Sequence, residues 1–367
     1  MTVLMTAWAV SAQMVASPAA GQVSGRVSLV PVQAPPEWRG LDGTAAPSIA
    51  WLGDTALVLI DVDEHQVMVA RRRDGGISRI GRNGSGPGEF QTPRQVIADP
   101  SGRIVVDDVD TKRFTLIGSD LRYLASIPGV EGVHTVLLQL EQARLTIVHA
   151  APLGTPRVSD VDLTSGGIVE RFDVFVMDTS VRSMISVGTA QLPNPSLGAV
   201  RTTRGEIVVG NPLTYRMTTL KSDGAVVRRF GRPELSIEME TEAEAAKRSG
   251  ALRKSLAAAQ GGPVSGRLLS RLARMAEGPH AKPHFVAPLM ADTTGRLWVA
   301  TTRVKGGMTE IDTFDSEGRF VQTLRVRDRV RALAVRLPLV AILVERLQGD
   351  EEGMDGIDLY RVRENRE

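Results

Sequence analysis

The chain of 367 residues balances 44 Lys and Arg against 42 Asp and Glu, a net charge of +2, so no global field marks it for nucleic acid or an anionic membrane. Cysteine is absent, which excludes disulfide staples, thiolate nucleophiles and cysteine metal sites. Hydrophobic residues make up 42% and aromatics 4%, so the core has to be aliphatic and its burial has to supply the stability.

In chain order, Met1 to Ala20 carries no charge, contains the apolar run Val3 to Val10, and offers small-residue cleavage sites at Val10-Ser11-Ala12 and Ser17-Pro18-Ala19-Ala20. These are features of a secretory signal without its basic start, with an ordinary disordered N-terminus as the alternative, and they predict a secreted or periplasmic protein. Val27 to Val32 follows as a short strand, available to complete the last repeat and close a ring. Nowhere else do about 18 apolar residues run uninterrupted, as a membrane span requires. Val330 to Leu347 comes nearest and is broken by Arg331, Arg336 and Glu345.

From Pro47 one unit recurs: an apolar strand, a turn, a second apolar strand, a polar loop and a third, alternating strand. The first copy holds Trp51-Leu52, Ala56 to Asp61 and Gln66 to Ala70; the second spans Pro93 to Pro128 and turns at Pro100-Ser101-Gly102. The third, from Val133 to Phe175, uses Glu141-Gln142-Ala143 as its first turn, without glycine. The fourth holds Leu197 to Val200, Ile207 to Asn211 and Tyr215 to Met217. The fifth holds Phe285 to Asp292, Leu297 to Ala300, Glu310 to Phe314 and Phe320 to Leu324, and a sixth lies within Val330 to Val362. Such units, of about 45 to 50 residues, cannot each bury both faces alone, so neighbours must stack. The predicted fold is all-β: a single six-bladed β-propeller of four-stranded antiparallel blades over residues 27–367.

The join between the first two units carries the strongest local pattern. Gly81-Arg82-Asn83-Gly84-Ser85-Gly86-Pro87-Gly88 frees the backbone for positive φ, Phe90 offers one apolar anchor, and Asp108 and Arg113 stand five apart after the second strand. Over Gly81 to Ile117 the chain resembles the NHL-type six-bladed propellers, whose repeat has a glycine-rich loop ending in Gly-x-Phe-x-x-Pro, a strand, a Gly turn and an apolar strand closing on Asp. Thr111 stands where that family usually has Asn. The same five-residue offset recurs as Asp61 to Gln66 and Asn211 to Arg216. An Asp or Asn there is expected to accept backbone N–H bonds from the loop that follows it.

Residues 240–277 break the β pattern with two helical stretches, Thr241 to Leu256 and Val264 to Ala276, around Gly261-Gly262-Pro263. The second is amphipathic and basic, with Val264, Leu268, Leu272 and Met275 on one face and Arg267, Arg271 and Arg274 nearby. The expectation is a helical insertion between the fourth and fifth blades, folded over the rim, with docking of an acidic partner as the sharper alternative.

Motifs for chemistry are sparse. His280 and His284 form the one close histidine pair, but Pro283 between them forbids the one-turn spacing of a zinc-protease helix. Asp107-Asp108-Val109-Asp110 lacks the mid-loop glycine and terminal Glu of a calcium loop. The glycine run is followed by a strand and has no Gly-Lys-Ser/Thr, no Gly-x-Ser-x-Gly elbow is present, and Arg71-Arg72-Arg73 has no aromatic partner for nucleic acid. The expected function is a non-catalytic scaffold, monomeric and without a cofactor, that recognises a protein or small-molecule ligand. Recognition is expected on the face carrying the blade-linking loops and the insertion. Arg82, Arg94, Arg201 and His284, each near the start of an inner strand, are the candidate ligand-binding residues. The alternative is a metal-dependent lyase, lactonase or hydrolase, which the resemblance also allows, with a divalent ion in the channel held by Asp108, His280 and His284.

Overall fold

The computed structural model describes residues 26–41, 45–130, 134–150, 155–174, 198–258, 278–285, 289–349 and 351–364. Within them the strands form six separate four-stranded sheets. Blade 1 comprises β2 (Ala45–Leu52), β3 (Ala56–Asp61), β4 (Gln66–Arg71) and β5 (Ile77–Ile80); blade 2 comprises β6 (Pro93–Ala98), β7 (Ile104–Asp108), β8 (Arg113–Ile117) and β9 (Tyr123–Pro128). Blade 3 is β10 (His134–Glu141), β11 (Arg144–Ala150), β12 (Arg157–Asp162) and β13 (Ile168–Asp173); blade 4 is β14 (Gly198–Arg201), β15 (Ile207–Asn211), β16 (Arg216–Leu220) and β17 (Val226–Gly231). Blade 5 is β18 (Met290–Ala291), β19 (Leu297–Lys305), β20 (Met308–Phe314) and β21 (Phe320–Arg327). Blade 6 joins β22 (Arg329–Arg336), β23 (Leu339–Glu345) and β24 (Asp355–Glu364) to β1 (Val27–Val32), the strand expected to close the ring. β1 lies antiparallel to β24, with Val27 opposite Glu364 and Val32 opposite Leu359.

Each second strand is covered on both sides by neighbouring blades, which is why it reads as continuous apolar sequence: all residues of β3, β7 and β15 are buried. Among the described residues, apolar clusters lie between each pair of adjacent blades and run full circle. Ile60 and Val106 join blades 1 and 2, for example, and Leu59 and Leu343 join blades 1 and 6. The short 3-10 turn Pro36–Trp38 between β1 and β2 puts Trp38 into the cluster of blades 6 and 1.

Three hairpins share an Asp-x-x-Gly-Arg turn: Asp99 to Arg103, Asp292 to Arg296 and Asp315 to Arg319. In each, the Asp Oδ1 accepts the Arg backbone N–H at 2.9 to 3.0 Å. The glycine takes φ of +88, +83 and +78, a region open to Gly at no steric cost. In blade 3, where no glycine stands, Gln142 takes the positive φ of the turn.

The glycine-rich join behaves as its sequence suggests. Gly81 has φ +89, and a Cβ there would lie 2.5 Å from the ring of the fully buried Phe90. Arg113 donates from Nη1 to Ser85 O at 2.7 Å and from Nη2 to Gly86 O at 3.1 Å, and so pins the loop. Asp61 and Asn211 accept N–H bonds from the loops after them, as expected. Asp108 differs: its two oxygens accept from Gln91 N and Thr92 N, both 2.9 Å, in the loop before its blade. The bend before Pro93 brings those donors to the end of β7, where Pro93 pairs with Asp108.

Between blades 4 and 5 stands the helix α1 (Glu242–Ala258), begun by a capping box in which Thr241 N donates to Glu244 Oε2 (2.8 Å) and Glu244 N to Thr241 Oγ1 (3.2 Å). The expected second helical stretch, and the expected signal at residues 1–20, lie outside the described residues. A two-stranded stem carries the insertion: Glu240 N donates to His280 O and Lys282 N to Glu238 O. The expected inner strand of blade 5, Phe285 to Asp292, lies partly outside the described residues, and the parts described on either side both pair with β19. Phe285 bridges Thr301 of β19, and β18 has only two residues.

Candidate functional site

The six inner strands β2, β6, β10, β14, β18 and β22 surround an axial channel. Three neighbouring pairs are tied by side chains. Val96 N donates to Ser48 Oγ at 3.0 Å, Leu137 N to Gln95 Oε1 at 3.0 Å, and Trp51 Nε1 to Ala334 O at 3.0 Å. The wall is of mixed polarity, with aliphatic side chains from every blade. Ile49, Ile97, Leu138, Val200, Met290 and Val335, one from each blade, line a cavity of about 570 Å³. The wall continues to Asp54, Thr203, Asp292 and Thr293 of first-to-second-strand turns and to Arg336 at the end of β22. The cavity therefore extends toward the hairpin face. The expected ligand face was the opposite one, where the blade-linking loops and the insertion stem lie. At the hairpin end Arg336 pairs with Asp54.

The sequence-predicted residues do not converge. Arg82 lies on the glycine-rich loop with its side chain 78% exposed and paired with Glu89 at 2.7 Å. Arg94 stands at the bulge of β6, near the linker end, and Arg201 ends β14 beside the hairpin turn. His284 is 7% exposed and sits in the join of blades 4 and 5; its N–H donates to Pro212 O at 2.7 Å, and its carbonyl accepts from Thr302 N at 3.0 Å. For the metal alternative, Asp108 belongs to blade 2, His280 to the insertion stem and His284 to the join of blades 4 and 5, so the fold does not bring them together. Among the described residues, no group of three or more His, Asp or Glu side chains is placed to hold a metal ion.

Around His284 the structure assembles a polar network that motif reading missed. The imidazole stacks on Tyr215 at 5.8 Å. The Tyr215 hydroxyl donates to Asp312 Oδ2 at 2.6 Å, and that oxygen also accepts from Arg303 Nη2 at 2.8 Å and Arg232 Nη1 at 3.3 Å. Burial and the adjacent Asp312 charge raise the Tyr215 hydroxyl well above its usual range. Burial, reinforced by the Arg303 charge, lowers the His284 imidazole, while Glu238 opposes the shift. These residues come from blade 4, the insertion and blade 5. The one local signal was the Asn211 to Arg216 offset that sets Tyr215 at the head of β16.

Asp107, weighed above only as part of an acidic run, is 7% exposed. Burial pushes its carboxyl up to about 7; the Arg94 charge pulls it down and Asp108 pushes it further up.

Comparison of the sequence with family models and with curated proteins finds no match. Solved structures do resemble it in fold. A member of a family of unknown function from Bacteroides vulgatus has TM-score 0.55 at 9% identity, covering 93% of this chain and 100% of that one. A structural-genomics protein of unknown function from Bacteroides thetaiotaomicron has TM-score 0.53 at 11% identity, covering 92% and 76%. A candidate exported protein of Bacteroides fragilis has TM-score 0.50 at 12% identity, covering 95% and 98%. At these identities the likeness is one of propeller fold. Among the described residues no helix is long and apolar enough to cross a membrane.

Proposed function

We propose that this chain is an exported binding scaffold of NHL-like descent that receives the apolar part of a ligand in its axial cavity. The carrying observation is that all six inner strands contribute aliphatic side chains to one enclosure of about 570 Å³, within the range of small-molecule sites. NHL kinship is supported by the join of blades 1 and 2, where the buried Phe90, the loop-holding Asp108 and the loop-pinning Arg113 act together. Export is supported by the apolar, uncharged start of the chain.

Calorimetric titration with octanol, a neutral alkyl probe, tests the reading. Saturable binding is expected for the native chain, and its loss in Ala98→Phe, which fills the wall from β6 without a polar change. Absence of binding, or binding indifferent to that substitution, would overturn it.

A further inference from the structure

We infer that the cavity takes amphiphilic carboxylates, with the alkyl chain against its aliphatic wall and the carboxylate at Arg201. The inference rests on the binding reading above and adds the ligand's chemical class. Arg201 closes β14 between Val200 and Thr203, both of which line the cavity. Its guanidinium lies over the next turn, where a Cβ on Gly205 would come 3.7 Å from Arg201 Nη2. Gly205 has φ +76, so the turn favours glycine, and the glycine leaves room for that side chain.

Four other arginines at or beside the hairpin turns are engaged. Arg103 pairs with Asp99 at 2.6 Å, Arg319 with Asp315 at 2.7 Å, Arg204 with Glu317 at 3.0 Å, and Arg336 with Asp54. Arg201 is half-buried, yet among the described residues its side chain has neither a hydrogen-bond nor an ion-pair partner. The acidic groups nearest in the wall cannot supply one: Asp54 holds Arg336, and Asp292 accepts from Thr294, Arg296 and Trp298. A partly desolvated guanidinium with its donors unused favours a planar, two-oxygen acceptor, which a carboxylate provides. The aliphatic wall that begins at Val200, the chain neighbour of Arg201, favours an alkyl chain on that acceptor and gives a short, fully hydrated anion little to gain.

The test compares octanoate, octanol and acetate by calorimetric titration of the full chain and its Arg201→Ala, Arg201→Lys and Arg204→Ala variants. Thermal unfolding of each variant verifies the fold. Octanoate is expected to bind about tenfold tighter than octanol, the scale of one added charge-assisted contact. Arg201→Ala should abolish that margin and leave octanol unchanged, Arg201→Lys should restore part of it, and Arg204→Ala should keep it whole. Octanol binding with no preference for octanoate, or a preference that survives Arg201→Ala, would overturn this inference and leave the binding reading standing. Acetate binding as tightly as octanoate would overturn it too. Failure of both alkyl probes would remove the two together.

Discussion

Replacing Asp108 separates a structural carboxylate from a metal ligand. The side chain is fully buried and each oxygen accepts one backbone N–H at 2.9 Å, from Gln91 and Thr92. A hydrogen bond to a charged group contributes about 1.5 to 3 kcal/mol, and an orphaned buried donor costs a comparable amount. Both donors lie in a part-buried loop that water can partly reach, so Asp108→Ala should cost about 3 kcal/mol in all. Asp108→Asn keeps one acceptor and sets an amide N–H₂ against the other donor, so about half that loss is expected. Urea unfolding followed by circular dichroism measures both, read from the midpoint at constant slope. Chelation of the native protein should leave the midpoint where it was. A loss below about 0.5 kcal/mol for Asp108→Ala, within the range of ordinary surface changes, would refute the reasoning. So would a loss that a chelator reproduces in the unmodified chain.

Other outcomes follow from the joins between blades. Asp107 is held near 7, above its ordinary 3.8, so the native state keeps a proton that the unfolded chain has released, and its contribution to stability falls as pH rises from about 4 to about 7. Asp107→Asn should therefore gain on the native chain by about 4 kcal/mol over that interval, and a pH-independent difference between the two would contradict the assignment. Gly210→Ala would place a Cβ 2.9 Å from Phe285 Cζ; a loss of about 1 to 3 kcal/mol is expected, relieved by the additional change Phe285→Leu in a double-mutant cycle. Tyr215→Phe removes the donor at 2.6 Å from buried Asp312 and should cost about 1 to 2 kcal/mol in thermal unfolding; an unchanged midpoint would mean that the arginines alone satisfy that carboxylate.

The fold was largely legible because a propeller writes itself in local periodicity. The doubly covered second strands appear as apolar runs, the hairpins as glycine turns, and the capping box as Thr241 with Glu244. The repeat offset around Asp108 was visible, but its partners were not, since only the bend before Pro93 decides that the preceding loop supplies the donors. Three Asp-x-x-Gly-Arg turns stood in the sequence and could have been read as one hairpin device. The candidate site was less legible. Cavity walls come from one short strand in each of six blades, and Tyr215 meets Asp312 across 97 positions, distances over which no spacing rule operates. Arg201 was singled out for its place near an inner strand, but that its side chain lacks a partner among the described residues is a property of its neighbours alone.

The ladder between β1 and β24 has a mechanical corollary. Val27 faces Glu364 at one end and Val32 faces Leu359 at the other, so tension on the chain beyond Val27 and beyond Glu364 acts on the same rung. Such a load peels the pair bond by bond like a zipper, where a shearing geometry would strain all the rungs at once. A modest pull at both termini should thus unlatch the circle at blade 6, while five complete blades remain folded behind it.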